Sequence, residues 1–429
     1  MSASTAATRG DAEEALRALV DDAVFAAPYE LAGLVDACAR GLGARAATIY
    51  LADLQQRMLM PLVARTGTRD DSQMTPLAVD STLAGRAFQN FDVHTQDAGV
   101  EGLRVWVPLL LGTDRLGVLG VTVMDEEMLY GEEGRLAALL TRMAGRVANL
   151  VASKAPYGDT IVRLRRRNQM GLAAEMQYLL LPPLTFSSRP VTVAAALEPC
   201  YYVAGDTIDY AVDAGRTRVA VFDGMGHGLH SAQCAVLTIA AYRNARRCGQ
   251  TLTETMVAID EALFEGLGGE VFTTGVLLEL DTDTGMLQWA NAGHPEPLLI
   301  RGGKLIKSLH VEPRAPLGLG DLPGLEAAAI GHEQLEPGDR VLLFTDGVVE
   351  ARSPDGDFFG VERLSDLVIR HLAGGLTAPE TVRRLVRELL DHQADQLADD
   401  ATLLLLEWRS DPETPVAVGA GPPAEALSS

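Results

Sequence analysis

The spacing of apolar residues predicts one compact unit in the first third of the chain. Apolar positions recur at helical intervals from Asp11 to Ala44, with a break at Pro28 and an end near Gly41–Gly43. Four apolar runs typical of strands follow, and a GTDR turn between the last two predicts a hairpin: 46–53, 58–65, 105–112 and 115–124. A long helix at about 133–153 closes the segment. This order predicts an α/β domain.

A second helical pattern runs from Asp159 to the prolines at 182 and 183 and predicts one continuous helix. Its apolar spacing suits pairing with another helix, and its place between two domains suggests that it transmits a change in packing. The helix contains a basic run: Arg163, Arg165, Arg166 and Arg167. In so acidic a chain this run indicates a solvated face or local ion-pair partners rather than a nucleic-acid site.

Composition places the chain among ordinary globular proteins. Its 429 residues are 47% hydrophobic and 22% charged, which predicts two or three domains. The formal charge of -22 disfavours nucleic acid and anionic membranes as partners. The N-terminal stretch lacks the apolar core of a signal peptide, and no apolar run is long enough to cross a bilayer. With four cysteines and no CxxC pair, we expect a cytoplasmic protein without a disulfide framework.

Four acidic segments in the second half each adjoin a strand-like apolar run. They are VAGDTIDY (203–210), VAVFDGMGHG (219–228), VLLFTDGVVEA (341–351) and ADDATLLLL (398–406). A single Asp at a strand end is usually a turn former or a helix cap. Four together predict converging carboxylates, the ligands that Mg²⁺ and Mn²⁺ prefer. Two such ions can activate a water, so the pattern predicts metal-dependent phosphoester hydrolysis.

The segment from about Gln177 to Trp408 resembles the PPM (PP2C-like) serine/threonine phosphatases of the bacterial stage II sporulation protein E and stress-regulator branch. Nine landmarks appear in order: Leu180–Pro182, VAGD, FDGMGHG, VFTTGVLLELD, NAGHPEPLL, APLGLG, LEPGDRVLLFTDGVVEAR, FFGVERL and DDATLLLLEW. The resemblance implies a β-sandwich flanked by helices. It also implies two Mn²⁺ or Mg²⁺ ions.

The resemblance carries metal roles over to matching positions. Asp223 would bridge both ions, and the Gly224 carbonyl together with Asp206 would complete the second site. Asp346 and Asp399 would complete the first. These four aspartates would act catalytically through the metal-activated water.

Several positions have weaker assignments or depart from the family pattern. Asp400 is a weaker metal candidate than Asp399, and Asp209 is expected to be structural or to lie outside the ligands. The family commonly has GGDYYD where this chain has AGDTID, so Ala204, Thr207 and Ile208 are expected to alter the rim of the site. Met225 stands where the eukaryotic branch has a histidine that can protonate the leaving alcohol. His227 lies two residues on, at a predicted helix start, and is therefore a weak candidate for the general acid. His294 could be catalytic or could pack in a turn, and no phosphate-gripping arginine is evident.

The first domain resembles a GAF domain, on the pattern VPLLLGTDRLGVLGV before an acidic loop and a helix. GAF domains sense small-molecule or protein signals or mediate dimer contacts, and Cys38 and His94 are expected to be structural. The chain is therefore predicted to be α/β (α+β), with a GAF-like sensor domain, a linker helix and a PP2C-like β-sandwich. The predicted boundaries are 1–21 for the N-terminal tail and helix start, 22–152, 153–181, 182–409 and a disordered tail at 410–429.

The resemblance predicts a metal-dependent serine/threonine protein phosphatase under control of the sensor. Its expected substrate is a phosphorylated anti-sigma-factor antagonist with a STAS fold, and the linker helix is expected to pair in a homodimer. Two alternatives stay open. One is a catalytically silent module that senses a ligand and docks a partner, and the other is a hydrolase of small phosphoesters.

Overall fold

The chain folds into two compact units that meet in sequence between Arg167 and Asn168. This boundary falls inside the predicted linker, 153–181. The computed structural model describes residues 9–63, 75–198, 201, 205–226, 228–319, 328–394 and 399–409. Ala204, His227 and the predicted tail at 410–429 lie outside the described residues.

A six-stranded antiparallel sheet forms the centre of the first unit. Its strand order is β3-β2-β1-β6-β5-β4. The strands are β1 (Ala46–Ala52), β2 (Met58–Leu62), β3 (Leu77–Ala78), β4 (His94–Asp97), β5 (Leu103–Leu111) and β6 (Asp114–Val123). Strands β5 and β6 pair directly along their length, which confirms the predicted hairpin.

Helices cover both faces of this sheet. They are α1 (Arg9–Ala23), α2 (Leu31–Gly41), α3 (Leu83–Asn90), α4 (Glu126–Lys154) and α5 (Asp159–Arg165), with short 3-10 helices at Pro28–Glu30, Gly99–Glu101 and Ala155–Tyr157. Helices α1, α2 and α4 bury one face, and α3 packs against Trp106 on the other. Helix α4 begins earlier than predicted because the Asp125 carboxylate caps it, accepting the Met128 N–H at 2.9 Å.

The prediction of one continuous helix from Asp159 to Pro182 is wrong. Helix α5 ends at Arg165, and α6 (Leu172–Tyr178) begins after a non-helical segment, 166–171. The cause is competition for backbone groups, because the Arg165 carbonyl accepts the Leu54 N–H at 3.0 Å. Backbone contact with the first unit therefore takes the place of another helical turn.

The basic run contacts the first unit, in agreement with the prediction of local partners. The Arg165 guanidinium donates to the Ala52 carbonyl at 2.9 Å. Arg167 lies 4.0 Å from the carboxylate of Asp53, which is fully buried. These contacts attach the end of α5 to the turn after β1.

The second unit is a sandwich of two antiparallel sheets, with orders β15-β12-β11-β10-β9 and β14-β13-β16-β17-β8-β7. The strands are β7 (Thr185–Ser187), β8 (Val191–Glu198), β9 (Asp206–Asp213), β10 (Arg216–Gly224), β11 (Thr273–Asp281), β12 (Met286–Ala292), β13 (Leu298–Arg301), β14 (Lys304–Ser308), β15 (Gly331–Gln334), β16 (Arg340–Phe344) and β17 (Ala401–Trp408). Val221 and Val276 of one sheet pack against Leu343 and Leu404 of the other. The predicted sandwich is confirmed.

Helices cover both outer faces of the sandwich. Helices α7 (Leu229–Arg247) and α8 (Leu252–Leu267) lie on the five-stranded sheet, and α9 (Asp346–Val349), α10 (Val361–Ala373) and α11 (Ala378–His392) accompany the six-stranded sheet. Strand β17 is buried on both sides: Leu403 and Leu405 face the helices, while Leu404 and Leu406 face the other sheet. This explains an unbroken apolar run. Within the described residues, no helix has the length and apolar character needed to cross a membrane.

Candidate metal centre

The predicted acidic residues gather at one end of the sandwich, and each sheet contributes a pair of strands. Asp206 begins β9 and lies directly opposite Asp223 near the end of β10. Asp346 begins α9 immediately after β16, and Asp399 and Asp400 immediately precede β17. Because β16 and β17 are neighbours, their acids reach the same end of the second sheet. The fold thus brings together residues that are far apart in sequence.

Burial of these carboxylates increases from the mouth of the site inwards. Asp346 and Asp399 are exposed, and Asp223 is half-buried. Asp206 and Asp400 are only 1% and 4% exposed. The site therefore has an open acidic rim above a buried acidic floor.

Burial and mutual repulsion raise the pKa values of four of these groups, Asp206, Asp223, Asp346 and Asp400. Burial, with repulsion from Asp346, Asp399 and Asp400, raises the pKa of Asp223 to about 7. Burial also raises the pKa of Asp400 to about 6, although N–H groups of Gly205 and Asp206 partly offset it. The pKa of Asp206 lies well above its usual range, chiefly because the group is buried. Without a cation, several negative charges share this small region at high cost.

Asp400 has one satisfied oxygen and one orphaned oxygen. Its Oδ2 accepts the N–H of Gly205 at 2.5 Å and that of Asp206 at 3.2 Å. Its Oδ1 is buried and has no hydrogen-bond partner. A buried carboxylate oxygen without a donor is unfavourable unless a cation or water satisfies it. Asp400, the weaker candidate from sequence, is therefore as well placed for a ligand role as the exposed Asp399.

Gly205 lets the floor of the site close tightly. A Cβ at this position would lie 2.7 Å from the Gly224 carbonyl oxygen and 2.9 Å from Ser231 Oγ. The Gly224 N–H also donates to the Gly205 carbonyl at 3.0 Å. Glycine is needed here because the two backbone segments approach without room for a side chain.

Hydroxyl and amide side chains that the motif analysis did not single out hold the acidic residues in place. Thr345 donates to Asp206 Oδ2 at 2.7 Å, and it is itself fixed by the Thr402 N–H at 3.0 Å. Others donate to backbone carbonyls of the site: Thr273 to Asp223, Ser231 to Gly224, and Gln177 to Asp206. The signal for Thr345 was its place directly before Asp346 in FTDG. Gln177 carries no such signal, because its contact crosses from α6 to β9.

The donor set fits a hard divalent cation in its chemistry. It offers carboxylate oxygens, the orphaned Asp400 Oδ1 among them, and the Gly224 carbonyl. In the part of the chain that the structure describes, no three His, Cys, Asp or Glu side chains converge closely enough to hold an ion as they stand. Without a cation the carboxylates repel one another, which is a physical reason for them to stand further apart than ligands of a bound ion.

The structure gives the remaining sequence candidates surroundings that do not suit a general acid. Asp209 is buried in an ion pair with Arg243 (2.9 Å) and Arg246 (3.1 Å), so its structural assignment stands. His294 is 5% exposed, and burial lowers its pKa to about 3, which leaves the imidazole neutral. Met225 is exposed beside Gly224.

The expectation that Thr207 and Ile208 alter the rim is wrong. Both side chains are buried, at 1% and 0% exposure, and Ile208 packs in the core between the two sheets. Successive side chains of a strand point to opposite faces, so Thr207 and Ile208 lie on different faces of β9. Both faces are covered at this end of the strand. These departures from the family pattern therefore change packing rather than the accessible surface.

In a chelating buffer, we expect Asp223→Asn to melt at a higher temperature than the wild-type protein at about pH 8, with the difference shrinking towards about pH 5. The folded-state pKa of Asp223 is raised to about 7, so the folded protein binds a proton that the unfolded chain releases near its ordinary value of about 3.9. Stability is therefore lost as the pH rises through this window, and asparagine removes that loss. Thermal melts of both proteins in EDTA test this, and a variant that is less stable at every pH would contradict it.

Comparison with known protein families gives a match within the second unit. Residues 213–409, somewhat less than half of the chain, match the family model of stage II sporulation protein E. Asp223, Gly224, Asp346, Asp399 and Asp400 fall within this match, and Asp206 lies just before it.

Two curated relatives and one solved structure illustrate the similarity. The phosphoserine phosphatase RsbU of Bacillus subtilis is 25% identical over 240 residues, which cover 56% of this chain and 70% of RsbU. The phosphoserine phosphatase RsbP of the same organism is 24% identical over 198 residues, covering 44% of this chain but only 47% of RsbP. The SiaA-PP2C domain of Pseudomonas aeruginosa has a TM-score of 0.46 and 23% identity, covering 56% of this chain and 94% of that domain. On the family match and the similarity to RsbU, residues 213–409 resemble a phosphatase domain of the SpoIIE/PP2C family.

Proposed function

We propose that this protein is a Mn²⁺- or Mg²⁺-dependent serine/threonine protein phosphatase that binds two ions. The observation that carries the proposal is the cluster of five aspartates at one end of the sandwich. Asp206, Asp223, Asp346 and Asp400 have raised pKa values, and one carboxylate oxygen of Asp400 is orphaned. Clustered carboxylates with perturbed pKa values are typical of functional sites rather than of structural ion pairs.

The residues that would hold the ions are Asp206, Asp223, Asp346, Asp399, Asp400 and the Gly224 carbonyl. Bound ions would supply Lewis-acid activation of water and neutralise phosphate charge. The protein's part is to position oxygen donors: Thr345 orients the Asp206 carboxylate, and Ser231 contacts the Gly224 carbonyl at 3.2 Å. No described side chain is assigned as the general acid.

The proposed substrate is a phosphorylated STAS-domain antagonist of an anti-sigma factor. This rests on the resemblance to the stress-regulator phosphatases and on the similarity to RsbU, which is named a phosphoserine phosphatase. The predicted result is Mn²⁺-dependent release of phosphate from such a protein, abolished by EDTA and by Asp346→Asn. An aryl phosphate serves as the comparison substrate. Equal or faster hydrolysis of the aryl phosphate would favour a small-phosphoester hydrolase instead.

The same assay tests the silent-module alternative. The observation that favours this alternative is that no three metal-binding side chains converge among the described residues. If the full chain and a fragment of residues 168–429 both leave the phosphoprotein and the aryl phosphate intact at saturating Mn²⁺, the result supports the docking-module alternative.

We further propose that the first unit is a GAF-type sensor that controls the phosphatase in a homodimer. Its antiparallel sheet with helices on both faces supports this, as does the attachment of Arg165 to that unit. Helix α6 is the candidate control element in place of the continuous helix, since Gln177 donates to the Asp206 carbonyl. A fragment 168–429 that outpaces the full chain in the phosphoprotein assay would identify the control as inhibition.

A further inference from the structure

His294 lies in a turn that fixes the direction of its side chain. The Asn291 side chain clamps the turn from both ends: its Oδ1 accepts the His294 N–H at 2.8 Å, and its Nδ2 donates to the His294 carbonyl at 2.8 Å. Gly293 between them has a positive φ of 70°. Asn291 is itself 3% exposed at the end of β12. The backbone that carries the imidazole is therefore held in one conformation.

One ring nitrogen of His294 reaches the five-stranded sheet beside the acidic cluster. Nδ1 lies 2.8 Å from Thr274 Oγ1. Thr274 is the direct cross-strand partner of Asp223. Its neighbour Thr273 donates to the Asp223 carbonyl at 2.8 Å. The imidazole thus supports the strand that lies against Asp223.

The ring of His294 also lies near the second sheet. Nε2 is buried without a hydrogen-bond partner, and the Phe344 backbone is close enough to the imidazole to offset part of the lowering of its pKa by burial. Phe344 ends β16, directly before Thr345, whose hydroxyl donates to Asp206. Because a carbonyl can only accept, this arrangement favours the tautomer with hydrogen on Nε2, so that Thr274 donates to Nδ1.

We propose that His294 is a positioning residue that couples the two sheets at their acidic end, and that it sets the spacing between Asp223 and Asp346. The inference rests on the proposed metal-dependent function. An imidazole bonded to Thr274 and close to Phe344 lies against the cross-strand partner of Asp223 and against the end of the strand that precedes Asp346. It therefore acts on the donors by placing the strands that carry them.

The test measures Mn²⁺ binding by titration calorimetry on the full-length protein. We expect His294→Ala to weaken binding about tenfold, the range seen when groups that support metal ligands are removed. His294→Asn can keep an amide near the Nδ1 position but cannot reach Phe344. Its loss of Mn²⁺ affinity is therefore expected to be smaller than that of His294→Ala. Thr274→Val removes only the hydroxyl and is expected to weaken binding in the same direction. At saturating Mn²⁺, each variant should regain turnover with an unchanged pH–rate profile.

Leu280→Ala is the matched control, because Leu280 is fully buried at the far end of the strand that carries Thr274. It should lower the melting temperature while leaving Mn²⁺ affinity unchanged. Wild-type Mn²⁺ affinity in both His294→Ala and Thr274→Val would overturn the inference. An equal loss of Mn²⁺ affinity in Leu280→Ala would also overturn it, as would the disappearance of one limb of the pH–rate profile in His294→Ala. If the wild-type protein itself binds no Mn²⁺, the proposed function fails together with the inference; if it binds and the variants match it, only the inference fails.

Discussion

Asp223→Asn is expected to lower the rate of Mn²⁺-dependent phosphoprotein hydrolysis by about 10³-fold or more. The residue stands opposite Asp206, and the repulsion that raises its pKa comes from Asp346, Asp399 and Asp400. It therefore interacts with acids from both strand pairs of the site. Without charge stabilisation by the metal, the activation free energy rises by several kcal/mol, which corresponds to this loss of rate.

The measurement is phosphate release under single-turnover conditions across a Mn²⁺ series. Asp213→Asn is the control. Asp213 is an exposed acid at the opposite end of β9, and its substitution removes the same charge. Its rate should match the wild-type protein. Asp399→Asn and Asp400→Asn form a second matched pair that shows which member of the DDAT motif binds metal. Retention of rate in Asp223→Asn with unchanged EDTA sensitivity would refute the metal mechanism.

Asp209→Ala is expected to destabilise the second unit by about 3–5 kcal/mol. The Asp209 carboxylate is 1% exposed and receives two hydrogen bonds from Arg243, while Arg246 lies 3.1 Å away. Arg243 also donates to the Leu180 carbonyl at 2.6 Å. Removing the carboxylate leaves two partly buried guanidinium groups without their charge partner and loosens α7 from β9.

Urea unfolding, monitored by tryptophan fluorescence in a Trp106→Phe background, measures this loss of stability. The substitution leaves two of the three tryptophans, Trp289 and Trp408, and both lie in the second unit. The control is Glu333→Gln, which removes the surface ion pair with Lys307 and should cost less than about 1 kcal/mol. A loss for Asp209→Ala no larger than that of Glu333→Gln would show that the buried pair contributes nothing net.

Local sequence patterns predicted the elements that form continuous apolar runs. Two such runs and the GTDR turn between them predicted the β5–β6 hairpin, and the apolar run at 403–406 belongs to a strand covered on both faces. The acids Asp206, Asp223, Asp346 and Asp399 were identifiable because each adjoins such a run. Their assignment as metal ligands stays a prediction.

Long-range contacts account for what the patterns did not predict. The helix expected from Asp159 to Pro182 ends at Arg165 because the Arg165 carbonyl bonds to Leu54, more than a hundred residues away in sequence. Thr207 and Ile208 looked like rim residues but are buried, because both faces of the strand are covered at this end. Gln177 and Thr345 support Asp206 through contacts between segments distant in sequence.

The sequence by itself determined the chemistry that is available: oxygen donors without thiolates, glycines that allow close approach, and strands that end at carboxylates. These properties depend on residue type and on short periods, which are local. The tertiary structure alone decided which carboxylates are buried, which oxygen of Asp400 lacks a donor, and which sheets His294 touches. Those properties arise when strands distant in sequence pair and exclude water, and desolvation and repulsion then set the charge state of the site.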